Sequence, residues 1–208
     1  LDAVLALQDV YATAEDWENV VTSMELEVAM VTDKEHQAKT WRRMAEVYRD
    51  QLMNEDQAVA AYEAALSSSP NDVEAAVALS ALYVVQERWE SAAPLLAMLE
   101  ERVAGETDPN AQAELLYIIG KSRENLLEID AAIEAYEQSL QRRPEDLQTL
   151  KSLATLTLRK QMYTDAERYY NSLLELTGAE ASDEELISFH MSLGEIALAT
   201  GQDDKALT

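Results

Sequence analysis

Apolar residues recur along most of the chain at the three- to four-residue spacing of an amphipathic helix. Leu79, Leu82 and Tyr83 illustrate the i, i+3, i+4 pattern. Helices with one apolar side bury that side against a neighbouring element. The pattern therefore predicts helix over nearly the whole length, with about eleven helices, a truncated twelfth and no sheet.

Local signals mark where several of these helices begin and end. Asp108 stands directly before a proline, and Ser182 precedes Glu185 by three residues, which is the spacing of a capping box. Pro70 and Pro144 follow long helical patterns and cannot continue them. These positions are predicted to be helix boundaries.

The helical pattern repeats itself along the chain. When the sequence is shifted by 74 residues, the segment that starts at Ala58 (AVAAYE) lies over the segment that starts at Ala132 (AIEAYE) without a gap. The same shift pairs Leu66 with Leu140, Pro70 with Pro144, Asp72 with Asp146, Leu79 with Leu153, Trp89 with Tyr163, Ala92 with Ala166 and Gly120 with Gly194. Each 74-residue stretch holds two helical hairpins, so the chain is predicted to be a repeat array.

The unit of the array resembles the tetratricopeptide repeat, whose 34-residue hairpin carries Leu, Gly, aromatic and Ala residues at set positions. Seven of the nine Tyr fall on its aromatic positions: Tyr11, Tyr48, Tyr62, Tyr83, Tyr136, Tyr163 and Tyr170. Six repeats can be placed, at about 1–33, 34–71, 72–107, 108–145, 146–181 and a truncated 182–208. We expect them to form one domain.

This resemblance implies an all-α fold, a right-handed α-solenoid of stacked antiparallel helix hairpins. Small Ala residues let the second helix of each unit approach its partner, and large aromatic residues fill the space toward the next hairpin. We expect the first role for Ala58, Ala92, Ala132 and Ala166, and the second for Tyr62, Tyr136 and Tyr170. Met24, Met30, Met44 and the other four Met are also expected in the core.

Composition narrows the range of partners. Asp and Glu number 40 against 16 Lys and Arg, a formal net charge of −24. A surface this acidic repels phosphate backbones and anionic lipid, so neither nucleic acid nor a membrane is an expected partner. The chain has no Cys, which excludes disulfides, thiolate zinc sites and cysteine nucleophiles.

The sequence holds no convincing catalytic or metal motif, and we expect no cofactor, no metal and no enzymatic activity. Gly120, Lys121 and Ser122 look like the end of a phosphate-binding loop, but Leu115 stands where that loop needs a glycine. His36 and His190 lie far apart in sequence and are interpreted as ordinary surface or packing residues.

The family resemblance places ligands along the concave face, on one side of the first helix of each unit. The residues predicted to form this groove are Arg42, Arg49, Val77, Ala81, Val84, Val85, Tyr117, Lys121, Lys151 and Arg159. An apolar strip flanked by cations would suit a protein segment with apolar anchors and acidic flanks. A basic partner on the outer face of the second helices is the alternative.

The resulting hypothesis is a non-catalytic scaffold that binds a peptide or protein segment in the groove. Two alternatives stay open: a substrate-recognition or regulatory arm of a larger enzyme, and a structural solenoid that self-associates through its uncapped ends. Because neither end carries a polar capping helix, we expect a fragment of a longer, bacterial-type array. The sequence assigns no compartment; cytoplasm is the working expectation and periplasm stays open.

Overall fold

The computed structural model describes residues 1–178 and 181–201, and within that part the chain is helical and contains no strand. The helices are α1 (Asp2–Thr13), α2 (Trp17–Met30), α3 (Lys34–Asp50), α4 (Glu55–Ser68), α5 (Val73–Val85), α6 (Trp89–Ala92), α7 (Leu96–Gly105), α8 (Pro109–Asn125), α9 (Ile129–Arg142), α10 (Leu147–Arg159), α11 (Tyr163–Thr177) and α12 (Asp183–Ala199). Helices α1 and α2, α3 and α4, α8 and α9, and α10 and α11 pair as hairpins, and the predicted all-α class is confirmed. The truncated twelfth arm falls on residues 202–208, outside the described part.

One predicted helix is not uniform. The second arm of the third repeat is divided into α6 and α7 by a 3-10 turn over Ala93–Leu95. Pro94 stands inside this turn, where it has no N–H to donate and its ring clashes with the preceding turn of a helix. The arm remains one run of helical residues from 89 to 105, with this tighter turn inside it.

The predicted helix boundaries are confirmed. The Asp108 carboxylate accepts hydrogen bonds from the backbone N–H groups of Asn110 and Ala111, at 3.1 and 3.4 Å. Ser182 and Glu185 form a reciprocal capping box at the start of α12. Helices α4 and α9 both end two residues before a proline. The residue directly after each helix has an extended or irregular backbone conformation.

The chain divides into two compact units, residues 1–102 and the residues from 103 onward. In the first unit, one core cluster joins α1, α2 and α3 around Val20, Met24 and Met44, and another joins α3, α4, α5 and α6 around Tyr62 and Leu79. In the second unit, one cluster runs through α9, α10, α11 and α12. The grouping of all six repeats into one domain stays a prediction.

The Ala and Tyr positions of the repeat are buried, as the repeat pattern predicts. Ala58, Ala92, Ala132 and Ala166 are at most 1% exposed, and Tyr62, Tyr136 and Tyr170 are at most 6% exposed. Of the methionines expected in the core, Met24 and Met44 are buried, but Met30, Met53 and Met191 are 55%, 78% and 71% exposed. The expectation was wrong for these three because Met30 is the last residue of α2, Met53 lies in the turn between α3 and α4, and Met191 lies on the exposed side of α12.

Each described turn between the two helices of one repeat contains one residue in the left-handed backbone region, with φ between +49° and +64°. These residues are Glu15, Met53, Glu87, Leu127 and Gln161. None of them is a glycine, so these turns hold a side chain in a conformation that L-residues avoid.

A buried carboxylate ties together the first three helices. Glu27 of α2 is 1% exposed, and its oxygens lie 2.7 Å from Nε2 of Gln8 on α1, 2.6 Å from Nε2 of His36 and 3.0 Å from Oγ1 of Thr40 on α3. Burial raises the pKa of Glu27, but these hydrogen bonds and the Arg43 charge outweigh it and hold the pKa below its ordinary value. Spacing along the chain does not indicate this network.

Candidate binding surface

The ten residues predicted to line the groove all lie on first helices. Arg42 and Arg49 belong to α3, and Val77, Ala81, Val84 and Val85 to α5, in the first unit. Tyr117 and Lys121 belong to α8, and Lys151 and Arg159 to α10, in the second unit. The surface is therefore described as two faces, one on each unit.

In the first unit, the apolar strip of α5 lies on the side opposite the core. Val77, Ala81 and Val84 are half-buried, and Val85 is 68% exposed. Their spacing of i, i+4, i+7 and i+8 places them on one side of the helix. The opposite side of α5 is buried in the core cluster through Leu79 and Leu82. The strip is therefore accessible to a ligand, and the opposite side of its helix is packed in the core.

The two predicted groove cations of this unit, Arg42 and Arg49, form ion pairs with neighbouring carboxylates. Nη1 of Arg42 lies 3.1 Å from Oδ1 of Asp72 and also contacts the carboxylate of Glu74. Asp72 is the N-cap residue of α5, so Arg42 of one repeat contacts the helix start of the next. Arg49 donates from Nε to Oδ1 of Asp50 at 2.6 Å, and this bond raises the pKa of its guanidinium. Arg42 thus joins two repeats, and neither guanidinium is free of an acidic neighbour.

In the second unit, Tyr117 is half-buried, and its ring centroid lies 5.8 Å from that of Tyr136. Burial, followed by the charges of Asp146 and Glu124, raises the pKa of Tyr117, so the phenol stays neutral. Glu124 also lies 3.4 Å from Nζ of Lys121 and accepts a 2.8 Å hydrogen bond from the hydroxyl of Tyr136. The ring of Tyr117 is therefore held in place by a buried neighbour.

Lys151 repeats the arrangement seen at Arg42. Its Nζ lies 2.6 Å from Oε1 of Glu185, in the capping box of the next first helix. The hydrogen bond from Lys151 and those from Ser182 lower the pKa of Glu185 to about 2. Arg159 differs, because it is exposed and has no ion-pair partner within residues 1–178 and 181–201.

Four of the five predicted cations are thus paired with carboxylates of the same unit. For Arg42 and Lys151 the partners are 30 to 34 residues further along, about one repeat away. Sequence reasoning missed this pairing, although one signal could have shown it. About one repeat after each cation, an acidic residue caps the start of a helix: Asp72 at α5 and Glu185 at α12. The apolar strip and the Tyr117 ring are the features left to bind a ligand.

Metal ligands and membrane-spanning helices are the next features to consider. Among the residues that the structure describes, no three His, Cys, Asp or Glu side chains are grouped so that they could hold a metal ion. No helix in the same residues is long and apolar enough to cross a membrane. His36, interpreted from sequence as a surface or packing residue, contacts the buried Glu27.

Known proteins share this fold. A chain of MamA from Desulfovibrio magneticus RS-1 is 15% identical, with 87% of this chain and 97% of that chain covered at a TM-score of 0.66. YrrB, described as a TPR protein with an unusual peptide-binding site, is 17% identical, with coverage of 82% and 81% and a TM-score of 0.65. The protein pilF of Pseudomonas aeruginosa is also 17% identical, with coverage of 99% and 86% and a TM-score of 0.61.

At these identities the likeness establishes the fold. No curated protein sequence gives a significant match. A family model does: the Tetratricopeptide repeat model matches residues 54–109 and 119–184, which is more than half of the chain. The buried Ala58, Tyr62, Ala132 and Tyr136 all lie within the matched segments. The chain therefore belongs to the tetratricopeptide repeat family.

Proposed function

We propose that this protein is a non-catalytic scaffold that binds a peptide or protein segment on the first-helix faces of its repeats. Members of the family generally serve as non-catalytic interaction scaffolds. YrrB, whose description names a peptide-binding site, shares the fold. The observation that carries the proposal is the apolar strip of α5, which is open on one side and anchored in the core on the other.

The ligand we propose has apolar or aromatic anchors, which bind either the α5 strip of the first unit or Tyr117 of the second. A rigid aromatic ring is a good anchor because little side-chain entropy is lost when a ligand covers it. Acidic flanks on the ligand contribute little, since they would compete with Asp72 and Glu185 for Arg42 and Lys151. Arg159 is the cation best placed to contact an acidic residue of the ligand.

Selection of a peptide from a random display library against the 208-residue chain would test this proposal. Tyr117→Ala should then weaken the selected peptide by about 1–3 kcal/mol, the usual cost of removing an interface anchor. Val85→Asp, at a 68% exposed position, should weaken a peptide that uses the α5 strip without unfolding the protein. Affinities would be measured by isothermal titration calorimetry, with circular dichroism as the check on folding.

Leu127→Gln, in an exposed turn, is the control and should leave affinity unchanged. Hydrogen exchange with the peptide bound locates the contact independently of any substitution. Protection confined to the second helices, with α5 and α8 unchanged, would show that the chosen face is wrong and that the outer face binds instead.

A further inference from the structure

A cavity of about 480 Å³ lies between the second helices α9 and α11 of the second unit. At its base is the side chain of Leu150 on α10, which is 1% exposed. The side chain of Arg168 on α11 is 61% exposed, so the cavity is open to solvent along that edge. The other walls include Glu137 and Leu140 on α9 and Tyr169 and Ser172 on α11. A cavity of this size can hold a small ligand or one side chain of a larger partner.

The two walls are joined by hydrogen bonds at Tyr169. Its hydroxyl donates to Oε1 of Glu137 at 3.0 Å and accepts from Nη2 of Arg168 at 2.9 Å. The Arg168 guanidinium also stacks on the Tyr169 ring, 4.7 Å from its centroid, and pairs with Asp165 at 3.2 Å. Burial and the bond to Glu137 raise the pKa of Tyr169 to about 12, so the phenol stays neutral and remains a donor. This wall of the cavity is therefore fixed in place before any ligand arrives.

Glu137 carries the charge of this cavity that no cation balances. It is half-buried, and its Oε1 is bonded to Tyr169, but Oε2 has no partner in the part of the chain that the structure describes. Arg168 does not balance it, since that guanidinium is already held by Asp165 and the Tyr169 hydroxyl. A half-buried carboxylate loses hydration without gaining an ion pair, which favours a ligand that supplies a cation.

The first unit shows the same glutamate with its cation present. Glu63 stands 74 residues before Glu137, and its Oε1 accepts a 2.7 Å hydrogen bond from the Tyr83 hydroxyl. Nη2 of Arg88 lies 3.3 Å from the same oxygen and balances its charge. The residue 74 positions after Arg88 is Met162, which has no charge. The second unit thus keeps the glutamate and lacks the cation that pairs with it in the first.

We infer that this cavity is a second binding site, and that its occupant is a segment of a partner protein in which an apolar side chain lies next to a Lys. The apolar side chain covers Leu140 and Leu150, and the ammonium group pairs with the free oxygen of Glu137. The net charge of −24 attracts such a segment and repels an acidic one. The cavity shares no residue with the predicted groove, so this inference does not rest on the function proposed for the groove.

The probe is a short peptide with a Leu-Lys pair at its centre and Gly and Ser elsewhere. It would be titrated into the isotope-labelled 208-residue chain and followed by two-dimensional NMR, which measures weak affinities and locates the contact. We expect saturable shifts of the backbone amides of Leu140, Tyr169 and Ser172, with the amides of α5 and α8 unchanged. A peptide with Leu-Glu at its centre should not bind.

Glu137→Gln should weaken the Leu-Lys peptide at least about fivefold, because the amide oxygen still accepts from Tyr169 but the charge is gone. Glu63→Gln is the matched control: it makes the same change at the equivalent glutamate, which Arg88 already pairs, and should leave affinity unchanged. Ser172→Trp places a large ring in the cavity without touching Glu137, and should abolish binding in a chain whose circular dichroism is unchanged.

Equal affinity of the wild-type and Glu137→Gln chains for the peptide would overturn the inference, as would equal binding of the Leu-Lys and Leu-Glu peptides. Shifts confined to α5 and α8 would place the peptide in the predicted groove instead. Shifts that never saturate would reduce the effect to attraction between a cation and an acidic protein. If leucine amide or free lysine bound as tightly as the peptide, the cavity would be a small-molecule site and the proposed occupant would be wrong.

Discussion

Gly120 allows a test of how tightly the hairpins are packed. It lies inside α8, where a Cβ would stand 2.6 and 2.7 Å from Cδ1 and Cε1 of Tyr136. The Tyr136 ring is fully buried, and its hydroxyl is bonded to Glu124 at 2.8 Å, so it has little room to move. Gly120→Ala gains about 1 kcal/mol of helix propensity but incurs about 1–3 kcal/mol of overpacking. We expect a net loss of up to about 2 kcal/mol.

The assay is urea unfolding followed by circular dichroism. Gly105→Ala is the matched control, because a Cβ there meets no atom within 4 Å, and it should be neutral or stabilising. Tyr136→Leu removes the ring, so Gly120→Ala made in that background should become stabilising by up to about 1 kcal/mol. If Gly120→Ala stabilised the wild-type chain, or cost the same in both backgrounds, the argument from ring contact would be refuted.

Glu27→Gln should lower the free energy of unfolding by about 1–3 kcal/mol, because the amide cannot accept all the hydrogen bonds of the carboxylate. The pKa of Glu27 is lowered in the folded protein, so the difference in free energy of unfolding between the two proteins should be full at neutral pH. It should shrink as the pH falls below 4.5, the ordinary pKa of the carboxyl group. Urea titrations at several pH values would show this. Leu127→Gly, at φ +64° and 77% exposed, should stabilise by about 0.5–1 kcal/mol in the same titration, whereas Leu126→Gly, at φ −79°, should destabilise. Ser182→Ala should cost about 1 kcal/mol and reduce protection of the first turn of α12 in hydrogen exchange.

The repeat pattern predicted the fold because its signature residues are also the packing residues. Ala132 and Tyr136 are identified by their spacing, and both are fully buried. Local chemistry also predicted helix starts such as Ser182, since capping depends on residues a few positions apart. The tighter turn at Pro94 was predictable in principle and was missed because the repeat register calls for a helix there.

The candidate surface was harder to predict because it depends on contacts between residues far apart in sequence. Arg42 resembles a free groove cation until Asp72 is placed beside it. Glu27 resembles any other surface acid of α2, yet it is buried among groups from α1 and α3. Periodicity identifies which side of a helix faces inward, but it does not identify the partner of each charge.

The contacts of Arg42 and Lys151 with the helix starts of the following repeats have a consequence for how the array unfolds. In each unit, a cation on one first helix reinforces the cap of the next, so the loss of one hairpin removes a support of its successor. Nearest-neighbour coupling of this kind makes stacked repeats unfold together rather than one at a time. Because these couplings are ionic and partly exposed, salt weakens them. Raising ionic strength should broaden the unfolding transition of each unit, so the cooperativity of the array is itself adjustable by the solvent.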